Sequence, residues 1–250
     1  MKISAIAVSG VLAVAVSFSH PAQADNHEQP DINPVSLYSC TFRDGTTMAD
    51  LDALDARFKK WADRNDKAQS AWRIVPLIRS SSEPFDVGYI ASWNDGEAMG
   101  AGMDAWAADD DVLPGYQAAI DCGHVVVASV PVHAPKGPPK DGIVWFRSCK
   151  VQDSASDELA FAAHKKMAAK MSEMGGKGQG WLFYPSLGMG DAGMDYYAVS
   201  TFNNMKELGT GWEMYYNSGG WKAGVALDAV TRCDSPRVYV VKNVRWGPQD

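Results

Sequence analysis

The residues through which this chain could do chemistry come in pairs. Cys40 and Cys149, Trp72 and Trp181, Asp86 and Asp195, and Asn94 and Asn203 each stand 109 residues apart. Pro76 and Pro185, Gly100 and Gly209, and Gly102 and Gly211 keep the same offset, while the last cysteines, Cys122 and Cys233, stand 111 apart. The second half has therefore gained two residues near its end. On an extended segment, Asp86 and Asn94 fall on one face, and so do their counterparts Asp195 and Asn203. If that face lines an apolar interior, four polar groups converge there. Trp72, Trp181 and Tyr184 would edge the space, which is the arrangement of a small-molecule site. The competing reading is structural: the aspartates sit in turns at strand starts, the asparagines cap the following helices, and the tryptophans pack beneath helices.

Arg147 stands where the first half has Tyr38 and follows Trp145 and Phe146. An arginine on a central strand needs an anionic partner, either Asp86 or Asp195 across the interior or an anionic ligand. His164 stands where the first half has Asp55. The chain carries no HxxxH, HExxH or CxxCH spacing, so neither a metal site nor a covalently attached haem is expected, and no cofactor is assigned. The adjacent acids Asp109, Asp110 and Asp111 lack the alternating spacing of a calcium loop. There is no GxSxG, no P-loop and no dinucleotide fingerprint.

The address of the protein is written at its start. Lys2 precedes an apolar run from Ile3 to Phe18, and Ala22-Gln23-Ala24 forms a cleavage site, so residues 1–24 read as a secretory signal. Its removal takes one lysine and no acid, moving the formal net charge from −7 to −8. Such acidity offers no footprint for nucleic acid and no polybasic patch for lipid, and no later stretch could cross a bilayer. Four cysteines in an exported chain point to disulfides, in a periplasmic or secreted location.

These pairs must be positioned by a repeated set of elements. Residues 25–33 read as a disordered lead-in, 34–132 as one unit, 133–141 as a Pro-rich linker and 142–250 as a second unit. In the first unit, strands are expected over 34–42, 71–78, 85–93 and 124–132. Thr47 caps a helix to about Asn65, bearing an apolar stripe of Met48, Leu51, Leu54, Phe58 and Trp61. Gly100 and Gly102 allow close packing or a kink in a second helical stretch. The second unit repeats the order, with a helix from Ser154 or Ser156 to Glu173 and a closing strand over 236–244.

The order in each unit is β-α-β-β-α-β, the ferredoxin-like arrangement. It puts the end of the first strand near the start of the fourth, so the geometry predicts Cys40–Cys122 and Cys149–Cys233. Each bridge would close a loop of roughly 80 residues and contribute on the order of 3–4 kcal/mol. Pairing between the halves is the alternative. Continuous apolar runs at 125–130 and 238–241 read as strands covered on both faces, and the other unit's sheet is the simplest cover.

Tandem units of this kind, over residues 34–245, resemble a fused version of the dimeric α/β-barrel superfamily. That superfamily includes antibiotic-biosynthesis-type monooxygenases, stress-responsive barrel proteins, NIPSNAP-like proteins and haem-handling chlorite dismutases. The expected fold is α+β, two ferredoxin-like repeats forming a pseudo-two-fold barrel. The resemblance implies a small apolar or aromatic ligand held in the barrel. The alternatives are a cofactor-independent monooxygenase-like enzyme, or a structural module with a filled interior. It also raises His164 as a candidate haem ligand. A monomer or homodimer is expected.

Overall fold

The computed structural model describes residues 31–81, 85–134 and 140–247. The signal segment, most of the lead-in, the end of the Ser-Ser-Ser-Glu-Pro loop and the middle of the linker lie outside the described residues. The first half runs β1 (Asn33–Phe42), α1 (Met48–Asn65), β2 (Ser70–Ile78), β3 (Val87–Ser92), α2 (Gly96–Ala107), α3 (Leu113–Ala119) and β4 (Ile120–His133). The second runs β5 (Gly142–Val151), α4 (Asp157–Glu173), β6 (Gln179–Leu187), β7 (Tyr196–Phe202), α5 (Met205–Tyr216), α6 (Trp221–Asp228), β8 (Thr231–Cys233) and β9 (Arg237–Arg245). Thr47 caps α1 through a capping box with Asp50, and Ser156 caps α4. Gly100 and Gly102 make no kink, because α2 is continuous across them.

The strands pair in the order β4-β1-β3-β2 and β9-β5-β7-β6, with every neighbour antiparallel. β2 then pairs with β9, and β6 with β4, closing an eight-stranded barrel. Closure satisfies the edges that each four-stranded sheet would otherwise leave open. The second faces are covered as expected, but the halves also join edge to edge. Because neighbours alternate in direction, β1, β2, β5 and β6 all run the same way. Trp72 and Trp181, near the starts of β2 and β6, therefore lie at one end of the barrel. The cysteine pairs lie toward the other.

Both prolines of the second strands sit in these seams. Pro76 adjoins a register shift against β9, and Pro185 adjoins one against β4. A residue with no N–H to donate is accommodated where the ladder is already irregular. The extra residues of the second half break its last strand. β4 is one continuous strand, whereas Asp234-Ser235-Pro236 separates β8 from β9. Against β5 the register slips by one residue, from Cys149↔Cys233 to Phe146↔Arg237.

The barrel interior is packed with side chains. Val35, Ile74, Val127, Val144, Phe146, Phe183, Val199 and Tyr239 form one buried cluster, joined by Leu37, Ile90, Trp181 and Tyr197. Phe146 meets Phe183, Tyr197 and Tyr239 edge-on, with ring centroids 6.1, 5.9 and 5.8 Å away. Phe85, just before β3, turns inward and stacks on Tyr239 at 5.6 Å. An eight-stranded barrel is just wide enough for side chains to fill, and here aromatic rings occupy the space in which the sequence places a ligand. The helices cover the outside.

The disulfides are Cys40–Cys122 and Cys149–Cys233, each joining directly opposed residues with Cα atoms 4.1 and 4.0 Å apart. Their loops span 82 and 84 residues. The double substitution Cys40→Ala/Cys122→Ala should lower the unfolding free energy by roughly 3–4 kcal/mol, read as a shifted urea midpoint. An unchanged midpoint would show that the bridge constrains little.

Candidate functional site

A cavity of about 300 Å³ opens on the outer face of the first half's sheet, beneath α1, α2 and α3. Its walls are aromatic: Tyr38 on β1, Phe58 on α1, Tyr89 on β3, Trp93 just after it, Trp106 on α2 and Tyr116 on α3. Phe58 and Trp106 meet edge-on at 5.6 Å, and Trp61 meets Trp106 at 4.8 Å, so the rings brace one another. Ala71 and Ala91 leave the floor low. Arg43 and Asp121, 3.8 Å apart and largely exposed, also line the cavity.

Local sequence explains how the walls are held. Asp95 caps α2, which starts close to the end of β3. Gly102 then lies against the Asp66 carboxylate and the Trp93 indole nitrogen, where any side chain would collide. That close approach lets the Trp93 Nε1–H donate to Asp66 Oδ2 at 3.0 Å. Burial pushes the Asp66 carboxyl above its usual range, with the Trp93 hydrogen bond opposing the shift.

Behind the cavity lies a buried ionic cluster. Asp55 Oδ1 accepts from the Tyr89 hydroxyl at 3.1 Å and the Tyr116 hydroxyl at 2.8 Å. Asp55 Oδ2 lies 2.8 Å from Arg73 Nη1, an ion pair set off the hydrogen-bond line, and both residues are about 95% buried. Arg73 Nη2 also donates to Asp52 at 2.5 Å, and Lys242 of β9 reaches the same Asp52 oxygen at 2.7 Å. Burial raises the Asp55 carboxyl despite the attraction of Arg73. Both phenols are pushed far up by burial, with the adjoining Asp55 charge adding to it, so they keep their protons.

The residues singled out from sequence are not brought together. Trp181 packs against the interior core, and Trp72 shares that face, its ring 6.4 Å from Trp246; neither lies beneath a helix. Asp86 and Asp195 are exposed braces: Asp86 Oδ2 accepts from Phe42 N at 2.9 Å, and Asp195 Oδ2 from Val151 N at 2.7 Å. They point to the barrel end, not into its interior. The helix caps are Asp95 and Asn204, one residue beyond Asn94 and Asn203; the Asn203 amide instead binds Glu207 at 2.9 Å. Arg147 lies on the outer face and donates to the Asp234 carbonyl at 3.1 Å, so neither Asp86 nor Asp195 is its partner. Tyr184 also faces outward, 5.4 Å from Tyr196.

The second half fills the corresponding space differently. Phe161, His164, Leu182 and Ala198 stand where the first half has Asp52, Asp55, Arg73 and Tyr89. The Thr231 hydroxyl donates to the Lys150 carbonyl at 2.9 Å, so at 2.8 Å it accepts from Tyr196. The Tyr196 oxygen then accepts from His164 Nε2–H at 3.0 Å. His164 lies within 4.8 Å of both sulfurs of Cys149 and Cys233, but sulfurs joined in a disulfide are not thiolate ligands. With its Nε2 proton committed to Tyr196, and with the Tyr196 ring packed edge-on against it at 5.6 Å, His164 does not fit an axial haem ligand. His124 stacks on Tyr38 at 4.2 Å and contacts Ser36 at 3.0 Å. The first-half cavity is smaller than a tetrapyrrole.

No protein-family model and no curated protein match the chain. Solved structures do. A protein from Lactobacillus acidophilus NCFM assigned as a monooxygenase aligns with a TM-score of 0.56 and 11% identity, over 86% of this chain and 95% of that one. An anthrone oxidase-like protein aligns at 0.51 with 14% identity, over 87% and 95%. A mutant chlorite dismutase from Candidatus Nitrospira defluvii aligns at 0.52 with 8% identity, over 86% and 93%. The chain thus has the dimeric α+β-barrel fold of chlorite dismutase-like and monooxygenase-type proteins. At such identities the likeness concerns the fold.

The cavity has no contiguous signature in the sequence, because its aromatic walls come from five separate stretches. Phe58 and Trp61 read as part of one helix's apolar stripe and Trp93 as the end of a strand, and no motif singles out Trp106 or Tyr116. The signal available was the difference between the halves at Asp55 and His164.

Burial, with Arg147 adding to it, lowers the His164 pKa from 6.5 to about 4. The folded state holds the ring neutral, whereas the unfolded chain takes up the proton once the pH falls below 6.5. His164 therefore costs no stability above about pH 6.5, and the penalty grows as the pH falls toward 4, to roughly 3 kcal/mol at most. Urea midpoints measured from pH 7 to 4.5 should fall less steeply for His164→Gln than for wild type. Parallel profiles would sink this account.

Proposed function

We propose that this chain is an exported binding protein for a small, largely apolar aromatic molecule, held in the first-half cavity between sheet and helices. The observation that carries the reading is the lining itself: six aromatic side chains around about 300 Å³, with few polar groups among them. We take the chain to be a fused duplication of one ferredoxin-like unit, in which one copy kept a cavity and the other closed it. Two disulfides, and no described helix long and apolar enough to cross a membrane, fit a periplasmic or secreted protein. The filled barrel fits a purely structural module equally well, but an aromatic-walled cavity is not something such a module needs.

A second reading is a cofactor-independent monooxygenase-like enzyme. It is favoured by the buried Asp55 carboxylate and its two phenols, Tyr89 and Tyr116, which put proton-holding groups in the cavity wall and directly behind it. Oxygen consumption on adding a bound aromatic, lost in Asp55→Asn, would move the assignment from binding to catalysis.

The binding reading is tested by titrating naphthalene and following quenching of tryptophan fluorescence. Ala91 is buried on the cavity floor, so Ala91→Leu puts a larger side chain into the space. We expect saturable quenching in wild type and at least about tenfold weaker binding in the variant, with the circular dichroism spectrum unchanged. No saturable quenching in the wild-type protein would sink the proposal.

A further inference from the structure

We infer that the cavity selects an aromatic ligand carrying a hydrogen-bond donor, an N–H or O–H, which the side-chain oxygen of Gln69 accepts. This rests on the reading of the cavity as a binding site and adds the chemistry of what it takes. Gln69 lines the cavity just before β2 and is 8% exposed. Its Oε1 is buried and has no hydrogen-bond partner among the described residues. The rest of the residue is firmly held: its N–H donates to the Asp66 carbonyl at 3.3 Å, and its own carbonyl accepts from Arg245. The backbone of Gln69 is therefore fixed at the edge of the cavity.

The neighbouring donors are already committed. The Tyr89 and Tyr116 protons go to Asp55, and the Trp93 Nε1–H goes to Asp66. Turning the indole to Gln69 would strip Asp66 Oδ2 of its donor, and turning a phenol would leave Asp55 Oδ1 with one donor in place of two; either exchange trades a charge-assisted hydrogen bond for a neutral one. Among the described residues the oxygen finds no donor, and a ligand in the cavity can supply one. The cavity walls carry the rings of Trp93, Trp106 and Tyr116, which suit a flat apolar body rather than a chain of polar groups. A site of about 300 Å³ suits a compact, fused-ring molecule. A site built to pair a ligand N–H discriminates strongly against an isostere that lacks it, because its own polar atom is left bare.

The test compares indole, benzothiophene and isoquinoline by titration calorimetry with the mature protein. Indole offers a donor, benzothiophene is nearly isosteric without one, and isoquinoline offers only an acceptor. We expect indole to bind about tenfold or more tighter than either of the others. In Gln69→Leu the advantage of indole should vanish, while benzothiophene binds within about twofold of its wild-type affinity. Because the substitution removes an unpaired buried polar atom, the thermal midpoint should stay level or rise. Equal affinities in the wild type, or a preference for isoquinoline, overturn the donor inference alone. Failure of all three to bind overturns the binding reading and this inference together. A marked drop in the Gln69→Leu midpoint would show that the amide has a structural partner, and would overturn the inference too.

Discussion

Each half of this chain builds a four-stranded antiparallel sheet with two edges, and each edge strand pairs with the other half. β2 runs along β9 and β6 along β4, so the backbone groups at every seam find partners across it. Most of the architecture follows from that constraint. The barrel can close only if the second strands tolerate their prolines, and Pro76 and Pro185 sit next to register shifts in those seams. The interior can fill only if all eight strands send an apolar residue inward, which they do, from Val35 on β1 to Tyr239 on β9. The seam is also tied ionically, since Arg73 of β2 and Lys242 of β9 share the Asp52 carboxylate. Asp52 is half-exposed, so solvent screening keeps that tie weak.

A filled interior displaces function to the outside of the barrel. There the two halves differ in substance. The first uses a buried carboxylate, an arginine and two phenols; the second uses a histidine, a tyrosine and aliphatic packing. A charge cluster is a poor source of net stability, because desolvation offsets most of the Coulomb attraction. Its contribution here is geometric. Two phenol protons fixed on one carboxylate oxygen hold the Tyr89 and Tyr116 rings at right angles, with centroids 5.7 Å apart. That stops the rings from collapsing into the neighbouring space. The second half has no such strut, and Tyr184, Tyr196 and His164 close over its disulfide.

The architecture was legible because it rests on local signals. A capping box at Thr47, period-two alternation, and cysteines at the ends of first strands and starts of fourth strands all act over a few residues or through one topological rule. Both disulfide pairings followed from that rule. The site was not legible for a corresponding reason. Asp86 and Asp195 alternate correctly with their strands on paper, but each begins its segment one step before the ladder. A free carboxylate there finds the N–H of Phe42 or Val151 before it finds the interior. Asn94 and Asn203 missed their caps by one residue, because Asp95 and Asn204 follow and cap as well or better. Residues that recur in both halves serve what both halves share, which is the scaffold. Asp55, Arg73 and Tyr89 have no recurring partners in the second half and carried no motif, so only their contacts across the fold reveal them.

Gln69 shows the same logic at a single atom. In a packed half, a glutamine this buried would be expected to turn its oxygen toward a donor, since an unpaired acceptor is among the costlier defects a fold can keep. The first half has donors close by but spends them on Asp55 and Asp66, both carboxyls that burial has raised. Releasing the indole to Gln69 would take the donor from Asp66 Oδ2, and releasing a phenol would leave Asp55 Oδ1 with one donor in place of two, so each exchange gives up a charge-assisted hydrogen bond for a neutral one. The orphan is thus a consequence of how the cavity wall is braced. A cavity braced by carboxylates presents acceptors, and the chemistry that completes it is that of a donor on an aromatic frame.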